Sequence, residues 1–394
     1  MVSIKEVNAV TILDSRGEKT IKVSIKTNTG DFSASAPQGK SIGKYEVKTY
    51  KKDIEEDIKQ IKNMSDYFAD EKYNDFDDLR KAEDILAGHV GGNTIIALEY
   101  AILKAIAKEQ KKQVWQIVSD NINTRPKKFP RLVGNVVGGG KHSTTQDSEI
   151  RKPDFQEFLL IPLEKPIKAF ETNKKAKEKT KILLIENDKN FKSETNDENA
   201  WKTSLNEREI LDVLSYLKPN IPLGLDIASS GFFSRKKYHY LNPKLDRTIG
   251  EQLVYLSSLI EKFDILYIED PFEENDFEGF AKLLKKFPNR LIVGDDLTVT
   301  NSQRLEKAIE NKSINAIIIK PNQCGSLIEV KKVCGLAKKN NIKLVFSHRS
   351  GETEESILAD LAIGFEADFF KCGINGKERE AKLKRLADIE KEAK

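Results

Sequence analysis

Six stretches decide the architecture: Ile221-Pro-Leu-Gly-Leu-Asp226, Ile265-Leu-Tyr-Ile-Glu269, Leu291-Ile-Val-Gly-Asp295, Ala316-Ile-Ile-Ile-Lys320, Lys343-Leu-Val-Phe-Ser-His348 and Asp368-Phe-Phe-Lys371. Each is a short apolar run of β-type residues that ends on a polar or charged one, and helical periodicity follows. Their last residues lie 23 to 43 positions apart, about the room one strand-and-helix unit takes. Apolar strands alternating with helices build a parallel sheet, and six or more such units predict an α/β chain with a C-terminal (β/α)8-type barrel. A doubly wound open sheet is the alternative. Both folds gather chemistry at the C-terminal strand ends, where Asp226, Glu269, Asp295, Lys320, His348 and Lys371 fall.

Upstream the pattern changes. Val7–Leu13 and Thr20–Lys26 alternate as strands do, separated by Asp14-Ser-Arg-Gly17 and closed by Thr29-Gly30, which predicts an antiparallel meander. Helical periodicity follows over Val47–Ile61 and over Thr94–Glu109, with Asn93 placed to cap the second. Thr124-Arg-Pro-Lys-Lys-Phe-Pro130, with two prolines and a basic run, reads as a connector. The expected division is therefore an α+β N-terminal capping domain over 1–125 and the barrel over 126–394. Lys165–Asn199 is rich in Lys, Glu and Asn with little periodicity, which predicts a solvated excursion. Lys377–Lys394 predicts a charged amphipathic helix that packs through Leu383, Leu386 and Ile389.

Composition excludes several classes. In 394 residues, 66 Lys and Arg face 62 Asp and Glu, leaving a formal charge of +4. That balance argues against a dedicated nucleic-acid binder. The N-terminus lacks an apolar leader core, and no apolar run approaches the ~18 residues of a membrane span, so a soluble, unexported chain without membrane partners is expected. Cys324, Cys334 and Cys372 are too few and too scattered for a disulfide framework or a zinc site, which fits a cytoplasmic location.

One carboxylate at a strand end is often only a helix cap. Three on successive strands, Asp226, Glu269 and Asp295, would share one mouth and repel each other unless a cation neutralises them. Oxygen-only ligands point to Mg2+. Lys320 ends an Ile-Ile-Ile run beside that metal, where burial and neighbouring cations would lower its pKa and make it a base. Lys371 has the same placement, and one of the two lysines would be the base while the other binds an anion. Ser347-His348-Arg349-Ser350-Gly351 offers a guanidinium fork, hydroxyls and backbone donors to a phosphate. Together these parts suggest abstraction of a proton next to a carboxylate on a phosphorylated substrate, with metal ions where negative charge develops.

At these residues the chain resembles the enolase (phosphopyruvate hydratase) family along its whole length. The matching stretches are Ile12-Leu-Asp-Ser-Arg-Gly17, Gly138-Gly-Gly-Lys-His142, Gln156-Glu-Phe158, Leu225-Asp-Ile-Ala-Ser-Ser230, Ile268-Glu-Asp-Pro-Phe272, Gly294-Asp-Asp-Leu-Thr-Val-Thr-Asn301, Lys320-Pro-Asn-Gln323 and Ser347-His-Arg-Ser-Gly-Glu-Thr-Glu354. The resemblance implies reversible dehydration of 2-phosphoglycerate to phosphoenolpyruvate by a homo-oligomer, a dimer or higher, with two Mg2+ per site. It implies Asp226, Glu269 and Asp295 as ligands of the first ion, and Ser41 as a ligand of the second, which arrives with substrate. Lys320 would take the C2 proton, and Glu198, assisted by Glu157, would protonate the departing C3 hydroxyl near His348. His142, Arg349 and Ser350 would serve the phosphate, Lys371 the carboxylate, and Gln156 would contact substrate.

Departures from the family pattern cluster around two of these assignments. The usual Ser-Gly-Ala-Ser-Thr-Gly is Gln38-Gly-Lys40-Ser-Ile42-Gly43, and the usual Gly-Asp-Glu-Gly around the acid is Asn196-Asp-Glu-Asn199, a less flexible setting. Glu18-Lys19 stands for the usual Asn-Pro, Cys372-Gly-Ile-Asn375 for the usual Thr-Gly-Ala-Pro, and the segment before Glu198 is shortened. Two other outcomes stay open at this point: a paralogue acting on another carboxylic acid, and a non-catalytic enolase-like protein.

Overall fold

The computed structural model describes residues 1–40, 43–126, 128–142, 151–217 and 221–392, with His142 described by its backbone alone. Ser41 lies outside the described residues, as does the side chain of His142.

The N-terminal meander forms as expected: Val2–Leu13, Lys19–Thr27 and Gly30–Ser35 pair antiparallel, and the short strand Lys72–Tyr73 adds to the other edge. The first expected helix starts later, at Ile54–Asn63, where the Asp53 side chain accepts from the Glu56 amide. The second runs Gly92–Glu109, capped by Gly91, so Asn93 sits inside its first turn. There the Asn93 amide donates to the Pro37 carbonyl at 2.9 Å, a tertiary contact in place of a cap.

Beyond an irregular connection, eight strands close into a barrel, which excludes the open sheet. They are Arg131–Gly138, Glu157–Leu160, Leu223–Asp226, Tyr267–Glu269, Leu291–Gly294, Ala316–Ile319, Lys343–Ser347 and Phe369–Lys371. The barrel is not wholly parallel. Glu157–Leu160 runs antiparallel to both neighbours, with Glu157 opposite Gly138 on one side and Asp226 on the other. Reversal places this strand's first residue at the rim where the other strands end.

The strands' two-residue period then aims the rim residues inward. Val133, Leu159, Tyr267, Val293, Ala316, Ile318, Val345 and Phe369 pack together inside the barrel, while Ile317 and Ile319 belong to the outer core under the helices. Continuing the inward parity to the rim reaches Asn135, Glu157, Glu269, Asp295, Lys320 and Lys371.

Lys165–Asn199 is not a solvated excursion: Pro166–Asn187 is a helix of 22 residues. It buries Ala169, Asn173, Ala176, Lys177, Thr180 and Leu184. That stripe has helical spacing but is made of small and polar residues, so it escapes a search for large apolar ones. The last helix, Lys377–Glu392, buries Leu383, Leu386 and Ile389 as expected. Among the described residues no helix is long and apolar enough to cross a membrane, and all three cysteines are free.

Candidate active site

A cleft opens at the rim, walled by carboxylates, by Lys40, Lys320 and Lys371, and by the string Ser347–Ser350. Its centre is Lys371. The ammonium lies 2.8 Å from Asp226, 2.9 Å from Glu269 and 3.1 Å from Glu157, all buried. Burial opposes the charge on Lys371, but the surrounding Asp226, Glu157 and Glu269 raise its pKa well above the usual lysine value. Burial, reinforced by Asp226, likewise pushes Glu269 well up, and the Tyr267 hydroxyl donates to it at 2.6 Å. Gln156 turns its amide to Asp226 at 3.2 Å.

Lys320 forms an ion pair with Asp295, whose other oxygen accepts from the Gln323 amide at 2.9 Å. Beside a bound cation and among apolar walls, Lys320 is expected to have a lowered pKa. Here burial does act that way, but Asp295 outweighs it and the pKa is raised. Carboxylates outnumber ammonium groups in this cleft, so the proton is held on the lysine.

The three carboxylates Asp226, Glu269 and Asp295 each pair with an ammonium group. Asp226 and Glu269 are drawn onto Lys371 and Asp295 onto Lys320. Among the described residues, the acidic group that brings one oxygen from each member within 4.8 Å of the others is Asp270, Asp295 and Asp296. Asp270 has a different task, since its two oxygens accept the backbone N–H groups of Asp295 at 3.0 Å and Asp296 at 2.7 Å. Asp270, Val299 and Thr300 all adopt left-handed backbone angles near here. That conformation is strained for β-branched residues and gathers at functional sites. An all-oxygen donor set that recruits two ammonium groups as counter-charge fits a hard dication such as Mg2+.

Glu198 is 2% exposed; its Oε2 accepts from the Asn135 amide at 3.0 Å and lies 3.7 Å from His348 Nε2. His348 is neutral, because burial, then Arg379 and Lys371, hold its pKa well below the usual value. Asn196 Oδ1 accepts the N–H groups of Glu198 and Ala200, at 3.0 and 2.9 Å, and Asn199 takes the left-handed conformation for which glycine is usual. The two asparagines thus build the turn that carries Glu198. Glu157 and Glu198 line the same cleft.

Arg349 is buried with its fork on Glu46, at 3.1 and 3.0 Å, and on Asn322 at 2.8 Å. Ser350 Oγ accepts from Arg16 at 3.2 Å and from the Lys40 N–H at 2.8 Å. Sequence reasoning passed over Glu46, Asn135 and Gln323. Asn135 was findable, as a polar residue in an apolar strand with the parity of inward-facing Val133. Gln323 stands in the quoted Lys320-Pro-Asn-Gln323. Glu46 carries no local signal.

Comparison with known proteins agrees with this geometry. The model "Enolase, N-terminal domain" matches residues 4–118 and "Enolase, C-terminal TIM barrel domain" matches residues 127–394. The chain is 35% identical to the enolase of Methanosphaera stadtmanae over 99% of its own length and 97% of the relative's. It is 34% identical to that of Natronomonas pharaonis over the full length of both, and 33% identical to that of Pyrobaculum aerophilum over 96% and 94%. With both domain models matched in order, relatives of this identity spanning the chain, and an acidic cleft with two lysines at the barrel rim, the chain belongs to the enolase family, hydro-lyases that reversibly dehydrate 2-phosphoglycerate.

Proposed function

We propose that this hydro-lyase divides its chemistry between Lys320 as the base at C2 and Glu198 as the acid at the C3 hydroxyl. The convergence of Lys320, Lys371 and four buried carboxylates on the inward face of one barrel rim, beside the buried Arg349 fork, is the observation that carries the reading. Asp226, Glu269 and Asp295 would hold the first Mg2+, and Ser41 would reach the second. When bound, magnesium supplies positive charge for the substrate carboxylate and offsets the anionic surroundings that keep Lys320 protonated. Lys371 orients the substrate carboxylate. Arg349 and Ser350 hold the phosphate, with Glu46 giving up its place on the guanidinium, and His142 closes near them. Neutral His348 and Asn135 fix the Glu198 carboxyl, with Glu157 assisting it and Gln156 at the substrate's edge. The free cysteines accord with a reducing, cytoplasmic setting. A homo-oligomer and a division near residue 125 complete the proposal.

The test is ultraviolet absorbance on mixing protein, Mg2+ and 2-phosphoglycerate, because the conjugated product absorbs where its precursor does not. Excess chelator is expected to abolish the signal and added Mg2+ to restore it; full turnover in chelator overturns the metal assignment. Arg349→Ala is expected to weaken binding of 2-phosphoglycerate and of inorganic phosphate alike, by about tenfold or more, since a fork–phosphate contact is charge-assisted and bidentate. Calorimetric titration with each ligand checks it, and unchanged phosphate affinity would remove Arg349 from the phosphate site.

A further inference from the structure

Segments from both domains meet at one corner of the rim. Gln38 and Gly351 form an antiparallel bridge, with N–H to O distances of 2.7 and 2.9 Å. At Gly39 a Cβ would stand 2.0 Å from the Arg349 guanidinium, so any side chain there would have to push the guanidinium off its place. The Lys40 N–H then donates to Ser350 Oγ at 2.8 Å. Residues 38–40 are thereby laid along Arg349–Gly351, and the Lys40 side chain reaches across the cleft to Asp197 Oδ2 at 3.0 Å. The two side chains are 28% and 12% exposed, so solvent screens the pair only in part. On its far side the acid's segment is moored by Lys177, which donates to the Asn199 carbonyl and to Asn375 Oδ1, the latter at 2.9 Å.

We infer that Lys40 and Asp197 form a latch that holds the Glu198 segment over the cleft, making Lys40 a positioning residue for the proton donor. The inference rests on Glu198 being the acid. Where the family pattern has alanine, no side chain could reach Asp197, so the latch belongs to this chain's own departure from that pattern. It ties the N-terminal domain to the acid without touching the base, so its loss misplaces the acid and leaves proton removal at C2 intact.

The experiment compares wild type with Lys40→Ala, Lys40→Arg, Asp197→Asn and the Lys40→Ala/Asp197→Asn double variant. Dehydration, exchange of the C2 proton with solvent, inorganic phosphate binding and amide exchange over residues 196–200 are measured. Each truncation is expected to slow dehydration roughly fivefold, the scale of a partly screened ion pair, with the double variant no slower than either single. C2 exchange and phosphate affinity should stay within about twofold, amide exchange should quicken, and Lys40→Arg should restore both rates. Added salt should slow the wild type more than it slows Lys40→Ala. Weakened phosphate binding in Lys40→Ala would make Lys40 a substrate ligand and overturn the latch; so would additive losses in the double variant. Should wild type neither exchange nor dehydrate 2-phosphoglycerate, the reaction assignment fails. The amide-exchange comparison still decides the latch, which unchanged protection in Lys40→Ala overturns.

Discussion

Replacing Lys320 by alanine is expected to lower exchange of the 2-phosphoglycerate C2 proton by about 10⁴-fold, the upper range for losing a positioned general base. Substrate affinity should change little, because Arg349, Ser350 and Lys371 still hold the two anionic ends, and the base acts only as the bond to hydrogen breaks. Isotope exchange followed by NMR reads the first quantity and calorimetric titration the second. The variant also leaves Asp295 with the Gln323 amide as its remaining side-chain partner, so thermal unfolding must be compared alongside. Exchange at the wild-type rate would transfer the base to Lys371. The structure makes that transfer unattractive, because three carboxylates press a proton onto Lys371 while, among the described residues, Lys320 is ion-paired with Asp295 alone.

The second large effect separates the two halves of the reaction. Glu198→Gln keeps the shape of the side chain and its place beside Asn135 and His348 but has no acidic proton to give to a departing hydroxyl. Dehydration is expected to fall by about 10²–10³-fold while C2 exchange continues, since proton removal depends on Lys320 and not on the acid. A quenched-flow assay of product against the same isotope exchange measures the split. Dehydration surviving within a few-fold would make Glu157 the better donor, as His348 is held neutral in this setting.

The barrel was legible because its strands are apolar runs that stop on a charged residue, a pattern that depends on strand length and burial alone. Extending each run by its two-residue period would also have shown which of those ends point inward, and would have added Asn135. Three features were hidden for physical reasons. The reversed strand Glu157–Leu160 is four residues long, and direction leaves no mark on so short a run. The helix Pro166–Asn187 buries a stripe of Ala, Asn, Lys and Thr whose hydrophobic signal is weak. The pairing of Arg349 with Glu46 joins positions some 300 residues apart, which no local pattern carries. The direction of the Lys320 pKa was not legible, because a pKa is set by the sum of neighbouring charges, and the sequence shows the types of those neighbours but not their distances.

The reversed strand has one more effect. Because Gly138 pairs directly with Glu157, the connection between these two strands begins and ends at the same place on the rim. An ordinary crossover would instead have to descend the full height of the barrel on a helix. In general, joining two ends that already lie side by side costs only about 0.6 kcal/mol more for each doubling of the connection's length. Insertions, deletions and substitutions there can therefore reshape what enters the cleft while every strand keeps its register. Access to the site and the chemistry within it are free to diversify on separate pieces of chain.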